Sequence, residues 1–386
     1  PGTLFKVPGY EGSVPLIGSL RMKLVVFGLT VSSSWGNGHA TLWRGLIRAL
    51  GRCGWDVDFY ERDTPYYADH RDLRAPEGGR LRLYSDWRDV SAEAAAAVRQ
   101  ADAVMVTSYC PDGRAASALA CEAGRLSVFY DMDTPVTLAR LAAGERVDYL
   151  PEAGLGGFDL VLSFTGGQAL SILRDRLGAR RARPLYGHVD SDLHRPAPAD
   201  PRFRADLSYL GTYAADRQAG LTRLFVEAAR GRPGLRFLLG GSGYPDDFPW
   251  EPNIWFARHV APGEHPAFFS SSRLTLNVTR RDMAALGWCP SGRLFEAAAC
   301  GIPVLSDAWD GLDSFFEAGR EILIARDTAD TLAALERGDL AAIGRAARER
   351  TLDEHTSGRR ARELIGLLED AASPTTAAEP SLARSA

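Results

Sequence analysis

Apolar residues in this chain come in short, dense runs separated by longer segments with helical spacing. Residues 23–28 (KLVVFG), 55–61 (WDVDFYE), 103–108 (AVMVTS), 126–131 (LSVFYD) and 158–164 (FDLVLSF) are rich in β-branched and aromatic side chains and too short for buried helices. Helical patterns such as residues 39–50 and 92–100 lie between them. Near-continuous apolar runs mean strands covered on both faces, so their alternation with helices predicts a parallel sheet between two helical layers. After Pro196 the pattern restarts: LSYLG, LRFLLG, NIWFA, RLTLNV, IPVLSD and EILIA supply a second set of strands. The prediction is an α/β chain of two Rossmann-like domains, residues 22–190 and 191–371, joined near residues 188–198. Ligands of such sheets bind at the carboxyl ends of the strands, here in the cleft between the domains.

The densest chemical signal is residues 290–307, PSGRLFEAAACGIPVLSD, where a small-residue turn opens a short helix that stops at Gly-Ile-Pro before a strand. Ser291 is placed to accept from the free N–H groups of the first turn, and Gly292 lets a ligand approach the backbone closely. The helix N-terminus attracts anions. Gly292, Arg293 and Glu296 share one helix face, so a guanidinium for a diphosphate and a carboxylate for ribose hydroxyls stand together. The plain alternative is a surface ion pair between Arg293 and Glu296 on a helix packed by Leu294, Ala297 and Ala298.

Those residues carry a resemblance. The run RLFEAAACGIP is similar to the donor-binding helix of GT-B glycosyltransferases, in particular the group 1 (family 4-like) transferases and their spore-maturation, CgeB-like relatives. LYGHVDSDLHRP (185–196) is similar to their interdomain junction. SYLGTYAADRQAGL (208–221) is similar to the loop that opens their second domain, where a basic residue, here Arg217, meets the donor diphosphate. The resemblance implies the GT-B fold, a first domain that binds the acceptor, and a second that binds a nucleoside diphosphate sugar. It also implies that the base lies against residues 258–261.

Two N-terminal features carry candidate chemistry. Gly36-Asn37-Gly38 precedes a helix after the first strand, but the loop is too long and Thr41 stands where a dinucleotide fingerprint needs its third glycine. The resemblance makes this a loop near the phosphates or the acceptor; a plain surface loop is the alternative. His39 is then either a donor to substrate or a structural residue. In FYDMDTP (129–135) two carboxylates follow a buried strand: Asp133 either caps the helix that starts with Thr134 and Pro135 or serves chemistry, and Asp131 is an equal candidate for a sugar hydroxyl or an acceptor nucleophile.

One departure matters. The resembled family has two glutamates spaced as Trp288 and Glu296 are here, and this chain keeps only the second. The LGWCPSG turn then offers backbone N–H groups and Trp288 to the sugar. Asp131-Met132-Asp133 has a metal-motif spelling but sits in the domain expected to bind the acceptor, so no metal and no resident cofactor are expected; Arg217 and Arg293 stand in for a divalent ion. The expected function is metal-independent transfer of a sugar, with UDP-sugars favoured as donors, to a small-molecule, glycan or protein acceptor. Retention of configuration is implied by the resemblance, with inversion by an Asp base as the alternative.

Composition bounds these readings. The 386 residues are 45% hydrophobic, enough for two cores. A net charge of -4 argues against a dedicated nucleic-acid binder. No apolar run reaches the length of a membrane span. The five cysteines form no CxxC pair, which fits a reducing cytoplasm. Residues 1–21 read as an extension ahead of Met22, and residues 372–386 as a disordered tail. Two other functions stay open: a nicotinamide-dependent oxidoreductase using Gly36, Gly38 and Glu61, and a non-catalytic nucleotide-sugar-binding homologue suggested by Trp288.

Overall fold

The computed structural model describes residues 21–373. The first sheet contains β1 (Met22–Gly28), β2 (Trp55–Arg62), β3 (Gly79–Tyr84), β4 (Ala103–Thr107), β5 (Leu126–Asp131), β6 (Leu160–Ser163) and β7 (Ala182–Pro184), in the order β3-β2-β1-β4-β5-β6-β7. The second contains β8 (Ala205–Leu210), β9 (Phe237–Gly240), β10 (Ile254–Ala257), β11 (Ser272–Asn277), β12 (Val304–Asp307) and β13 (Leu323–Ala325), in the order β10-β9-β8-β11-β12-β13. Every strand pair is parallel. In each sheet the order reverses once, between β1 and β4 and between β8 and β11, and such reversals open a crevice at the strand ends.

All eleven predicted runs are strands. β3 and β7, not predicted, both lie at sheet edges: β3 alternates exposed and covered residues, and β7 has only three residues. Neither has the two-sided burial that makes an interior strand read as a continuous apolar run. Interior strands feed both faces. Leu24 and Val26 pack with Trp43 and Leu46 on one side, while Val25 and Phe27 pack with Val90 and Ala94 on the other.

The two domains are joined by two adjacent crossings. Val189 N–H donates to the His355 carbonyl at 2.9 Å, and Ser357 N–H donates to the Val189 carbonyl at 2.8 Å. The chain returns after this second crossing: the helix Ser357–Ala372 buries Ala361, Leu364 and Leu368 in the first domain's core beside Trp43 and Leu50. The segment expected to end the second domain therefore belongs, from Ser357 onward, to the first, because its apolar stripe has its partner there. Among the described residues no helix is long and apolar enough to cross a membrane. Apart from their inner ends, the expected extension (1–21) and tail (372–386) lie outside the described residues.

Leu364 is fully buried in that shared core. Leu364→Ala should lower the unfolding free energy by about 2–5 kcal/mol, the range for a Leu lost from a core. Urea unfolding measures it; a loss below about 1 kcal/mol overturns the assignment of this helix to the first domain's core.

Candidate functional site

The carboxyl ends of both sheets face one cavity of about 280 Å³. Its second-domain wall begins where β8 and β11 end, with Gly211 and Thr279, and includes the start of the helix Gly292–Ala299. Ser291 caps that helix, its Oγ accepting from Arg293 N–H at 3.3 Å. Gly292 faces across the cleft; a Cβ there would lie 3.7 Å from Leu42 of the first domain. The Arg293 guanidinium lies 5.5 Å above the Tyr209 ring. Burial and then the nearby Arg217 charge both pull its pKa below the ordinary value. Arg217 donates to the Thr212 carbonyl at 2.7 Å, while its Nε is buried without a partner. Among the described residues neither arginine is paired with a carboxylate within 4 Å, and the two cations share one cavity wall with Glu296.

The surface ion pair that Arg293 and Glu296 offered as the plain alternative is not formed. Glu296 lines the cavity and faces two imidazoles, His194 Nε2 at 3.9 Å and His265 Nδ1 at 3.8 Å. These three residues form a group with metal-ligand chemistry among the described residues, their ligand atoms all within 4.8 Å of one another.

The first-domain wall is built on Glu61. Its buried carboxylate accepts from Thr30 Oγ1 at 2.7 Å, Val31 N–H at 2.8 Å and Ser32 N–H at 3.0 Å, pinning the loop after β1. A carboxylate so engaged and fully buried has no capacity for a ribose, and the oxidoreductase reading of Glu61 fails on that ground. The pinned loop carries Gly36, at φ +60°, into the cavity wall. Asn37 caps the next helix, its Oδ1 accepting from His39 N–H at 3.0 Å, and Gly38 is the first helical residue. His39 then faces the turn after β5, where its Nε2 lies 3.2 Å from Asp133 Oδ2.

That contact bears on the capping role weighed for Asp133. Its side chain makes no cap hydrogen bond to the helix Thr134–Ala142, and it faces His39 in the cavity wall instead. Asp131 is fully buried and not part of the cavity lining. Its Oδ1 accepts from Asp133 N–H at 3.1 Å, its Oδ2 has no partner, and burial pushes its carboxyl up to about 6. It holds the turn that presents Asp133 and lies behind the cavity wall.

Trp288 also differs from expectation. It adopts φ +43° and is outside the cavity lining; its ring fills a slot between Gly167 of the first domain and Gly311 of the second, where any side chain at either glycine would collide with it. Its carbonyl accepts from Gly166 N–H at 3.0 Å, and its own N–H donates to the Asp310 carbonyl at 2.7 Å. It fastens the domains together and does not line the cavity. The segment expected to meet the base does reach the cavity, through His259 and Val260, and Trp35 of the first domain packs on the His259 ring at 4.6 Å.

Several lining residues escaped the sequence reading. Gly241 and Ser242 had a signal, the GGSG run directly after β9; Gly241 sits at φ +146° against the Gly211 carbonyl, an approach that only glycine permits. Arg280, tied to Asp216 at 3.0 Å, and His265 had none, because only the folded chain brings them to the cavity.

Comparisons agree with this architecture. Residues 217–366 match the family model described as glycosyl transferase-like. Among curated proteins none matches the chain in sequence. Among solved structures, sucrose-phosphate synthase from Thermosynechococcus elongatus superposes with TM-score 0.68 at 16% identity, covering 91% of this chain and 99% of that one. HepE of Anabaena, in complex with UDP and glucose, gives TM-score 0.63 at 13% identity over 90% of this chain and 100% of its own. A glycosyltransferase from Rickettsia africae gives 0.58 at 12% identity over 91% and 98%. Identities this low speak for the fold. The chain has the two-domain GT-B fold seen in glycosyltransferase structures, and its residues 217–366 match a glycosyl transferase-like family model.

Proposed function

We propose that this protein transfers a sugar from a nucleoside diphosphate sugar to the hydroxyl of an acceptor seated against the first domain. The observation that carries the reading is the pair Arg217 and Arg293, two cations without a carboxylate within 4 Å among the described residues, at the capped start of a helix and facing His39 and Asp133 across one cavity. Two guanidiniums on one wall, Arg293 among them desolvated, suit an anion, and a diphosphate fits both them and the helix N-terminus. HepE's complexes with UDP and with UDP-glucose favour uridine diphosphate as the carrier. In this reading Glu296 accepts from the ribose hydroxyls and the base lies against His259 and Val260. The turn of residues 131–135 supports kinship with the CgeB-like members of the group.

The chemistry asked of the site is cleavage of the bond between the anomeric carbon and the phosphate oxygen, whose electron pair leaves with the diphosphate. Arg217 and Arg293 stabilise the charge that grows on that oxygen, so the leaving group needs no metal. For retention, which the family resemblance implies, the acceptor's proton passes to the departing phosphate on the same face of the sugar. The contact between His39 and Asp133 favours a second reading. His39 Nε2 lies 3.2 Å from Asp133 Oδ2, and in this second reading the carboxylate holds the proton on Nε2 so that Nδ1 takes the acceptor's proton, as a general base for inversion does. The five free cysteines support a cytoplasmic location.

Single Arg217→Ala and Arg293→Ala changes should each weaken UDP binding by about 1–3 kcal/mol and leave uridine binding unchanged. In the double mutant the losses should be non-additive by about 0.5–3 kcal/mol, because one diphosphate is shared. Additive losses, or equal losses for uridine, overturn the diphosphate assignment.

His39→Asn and Asp133→Asn should lower turnover about 10²–10⁴-fold with UDP affinity kept. Product anomeric configuration by NMR then separates the two stereochemical readings: inversion makes His39 the base, and retention restricts the pair to positioning the acceptor. Near wild-type turnover in both variants removes the pair from the mechanism.

The raised carboxyl of Asp131 has a stability signature. In the folded protein it titrates at about 6, above the ordinary 3.8, so the folded state binds the extra proton between those values and stability falls as pH rises through the window. Asn cannot ionise. Wild-type stability relative to Asp131→Asn should therefore drop by roughly 2 kcal/mol between about pH 4 and pH 6.5, at most about 1.4 kcal/mol for each pH unit crossed. A pH-independent difference between the two proteins overturns the assignment.

A further inference from the structure

The proposed transfer uses Glu296 but leaves the two imidazoles beside it unexplained. His194 is 1% exposed, and neither of its ring nitrogens has a hydrogen-bond partner. Burying a polar group that way is costly, and native structures rarely tolerate it without a ligand or a role. His265 is more telling. Its Nε2 meets the Val260 carbonyl at 3.2 Å, which makes Nε2 the protonated nitrogen and leaves Nδ1 with a lone pair and no partner. That lone pair faces Glu296 Oε2 at 3.8 Å, and His194 Nε2 faces Oε1 of the same carboxylate at 3.9 Å. On the line from His265 to Glu296, two electron-pair donors look at each other with no hydrogen between them, an arrangement that a cation relieves.

We propose that His194, His265 and Glu296 form a binding site for a divalent cation of the imidazole-preferring kind, Zn²⁺ in preference to Mg²⁺. Two imidazoles and one carboxylate are a zinc donor set, whereas Mg²⁺ takes oxygen ligands. A tetrahedral ion with bonds of about 2.0–2.1 Å sets its ligands about 3.3–3.4 Å apart; the three ligand atoms here lie within 4.8 Å of one another, so side-chain rotations must draw them in around the ion. The bond from His265 Nε2 to the Val260 carbonyl is the outer contact that orients a ligating histidine and fixes its tautomer. His265 and Glu296 line the cavity and His194 does not, so the fourth position opens toward the cavity. This site is distinct from the diphosphate wall, where the arginines supply the charge.

On the reading of Glu296 as the ribose acceptor, cation and ribose compete for one carboxylate, so zinc inhibits donor binding. The test uses tag-free protein freed of metal by a chelator. Calorimetry should find one Zn²⁺ per chain and no binding of Mg²⁺, and Co²⁺ should give the intense visible absorption of a tetrahedral site, lost on adding Zn²⁺. His194→Gln should weaken Zn²⁺ at least tenfold and leave UDP affinity in metal-free buffer unchanged, since His194 lies outside the cavity lining. Saturating Zn²⁺ should raise the apparent Kd for UDP at least tenfold in the wild type and not in His194→Gln. Absence of stoichiometric Zn²⁺ binding, equal Zn²⁺ affinity in wild type, His194→Gln and His265→Gln, or a weak octahedral Co²⁺ spectrum overturns the site. Should His194→Gln not fold, the Co²⁺ spectrum of the wild type and His265→Gln decide. If Zn²⁺ binds through these residues while UDP binding ignores it, the metal site stands and the ribose role of Glu296 falls.

Discussion

A parallel sheet offers functional loops only along its carboxyl edge, so a site for two substrates at once needs two such edges held face to face. In this chain that constraint is met by the paired crossings at Val189 and Ser357, whose backbones hydrogen-bond to each other at 2.8 Å. Close packing enforces the register: a Cβ on Gly45 of the first long helix would strike Ser357 Oγ and crowd Asp190. The returning helix Ser357–Ala372 then locks the second crossing by burying its apolar stripe in the first core. Trp288 adds a second fastening, in the slot between Gly167 and Gly311. With the edges fixed this way, loops from both sheets meet in one cavity.

The two walls of that cavity are built on opposite electrostatic plans. The second-domain wall gathers positive charge: among the described residues Arg217 and Arg293 have no carboxylate within 4 Å, and the helix behind them adds its own N-terminal field. The first-domain wall uses carboxylates, but each is bound to a different task. Glu61 is fully engaged by the loop after β1, Asp131 is buried beneath the turn after β5, and Asp133 alone reaches the cavity, against His39. Burial separates these three acids more sharply than their sequence contexts do. A carboxylate that pins backbone N–H groups cannot serve a ligand, and one without solvent favours its protonated form.

His194, His265 and Glu296 add a third plan, neither anion-binding nor proton-transferring. Three segments contribute to it: the interdomain junction, the start of the helix His265–Ser270 and the helix Gly292–Ala299. Only Glu296 is shared with the donor reading, which is why occupancy of the cluster and occupancy of the ribose position bear on each other.

By itself the sequence determined the elements and their layering. Apolar runs covered on both faces, spaced by helical segments and restarting after Pro196, were enough for two parallel sheets, because two-sided burial leaves a signal in every residue of a strand. The run 290–307 likewise exposed the capped helix with Arg293 and Glu296, since capping and helix spacing are local physics. The edge strands β3 and β7, buried on fewer sides, left no such mark. Only the tertiary structure decided which side chains work together. It brought His39 to Asp133 in place of a helix cap, sank Asp131 and Glu61 below the surface, turned Trp288 into an interdomain wedge, and gathered His194 and His265 around Glu296. Those outcomes depend on through-space contacts between segments distant in the chain, and no local pattern of residues encodes a distance between them.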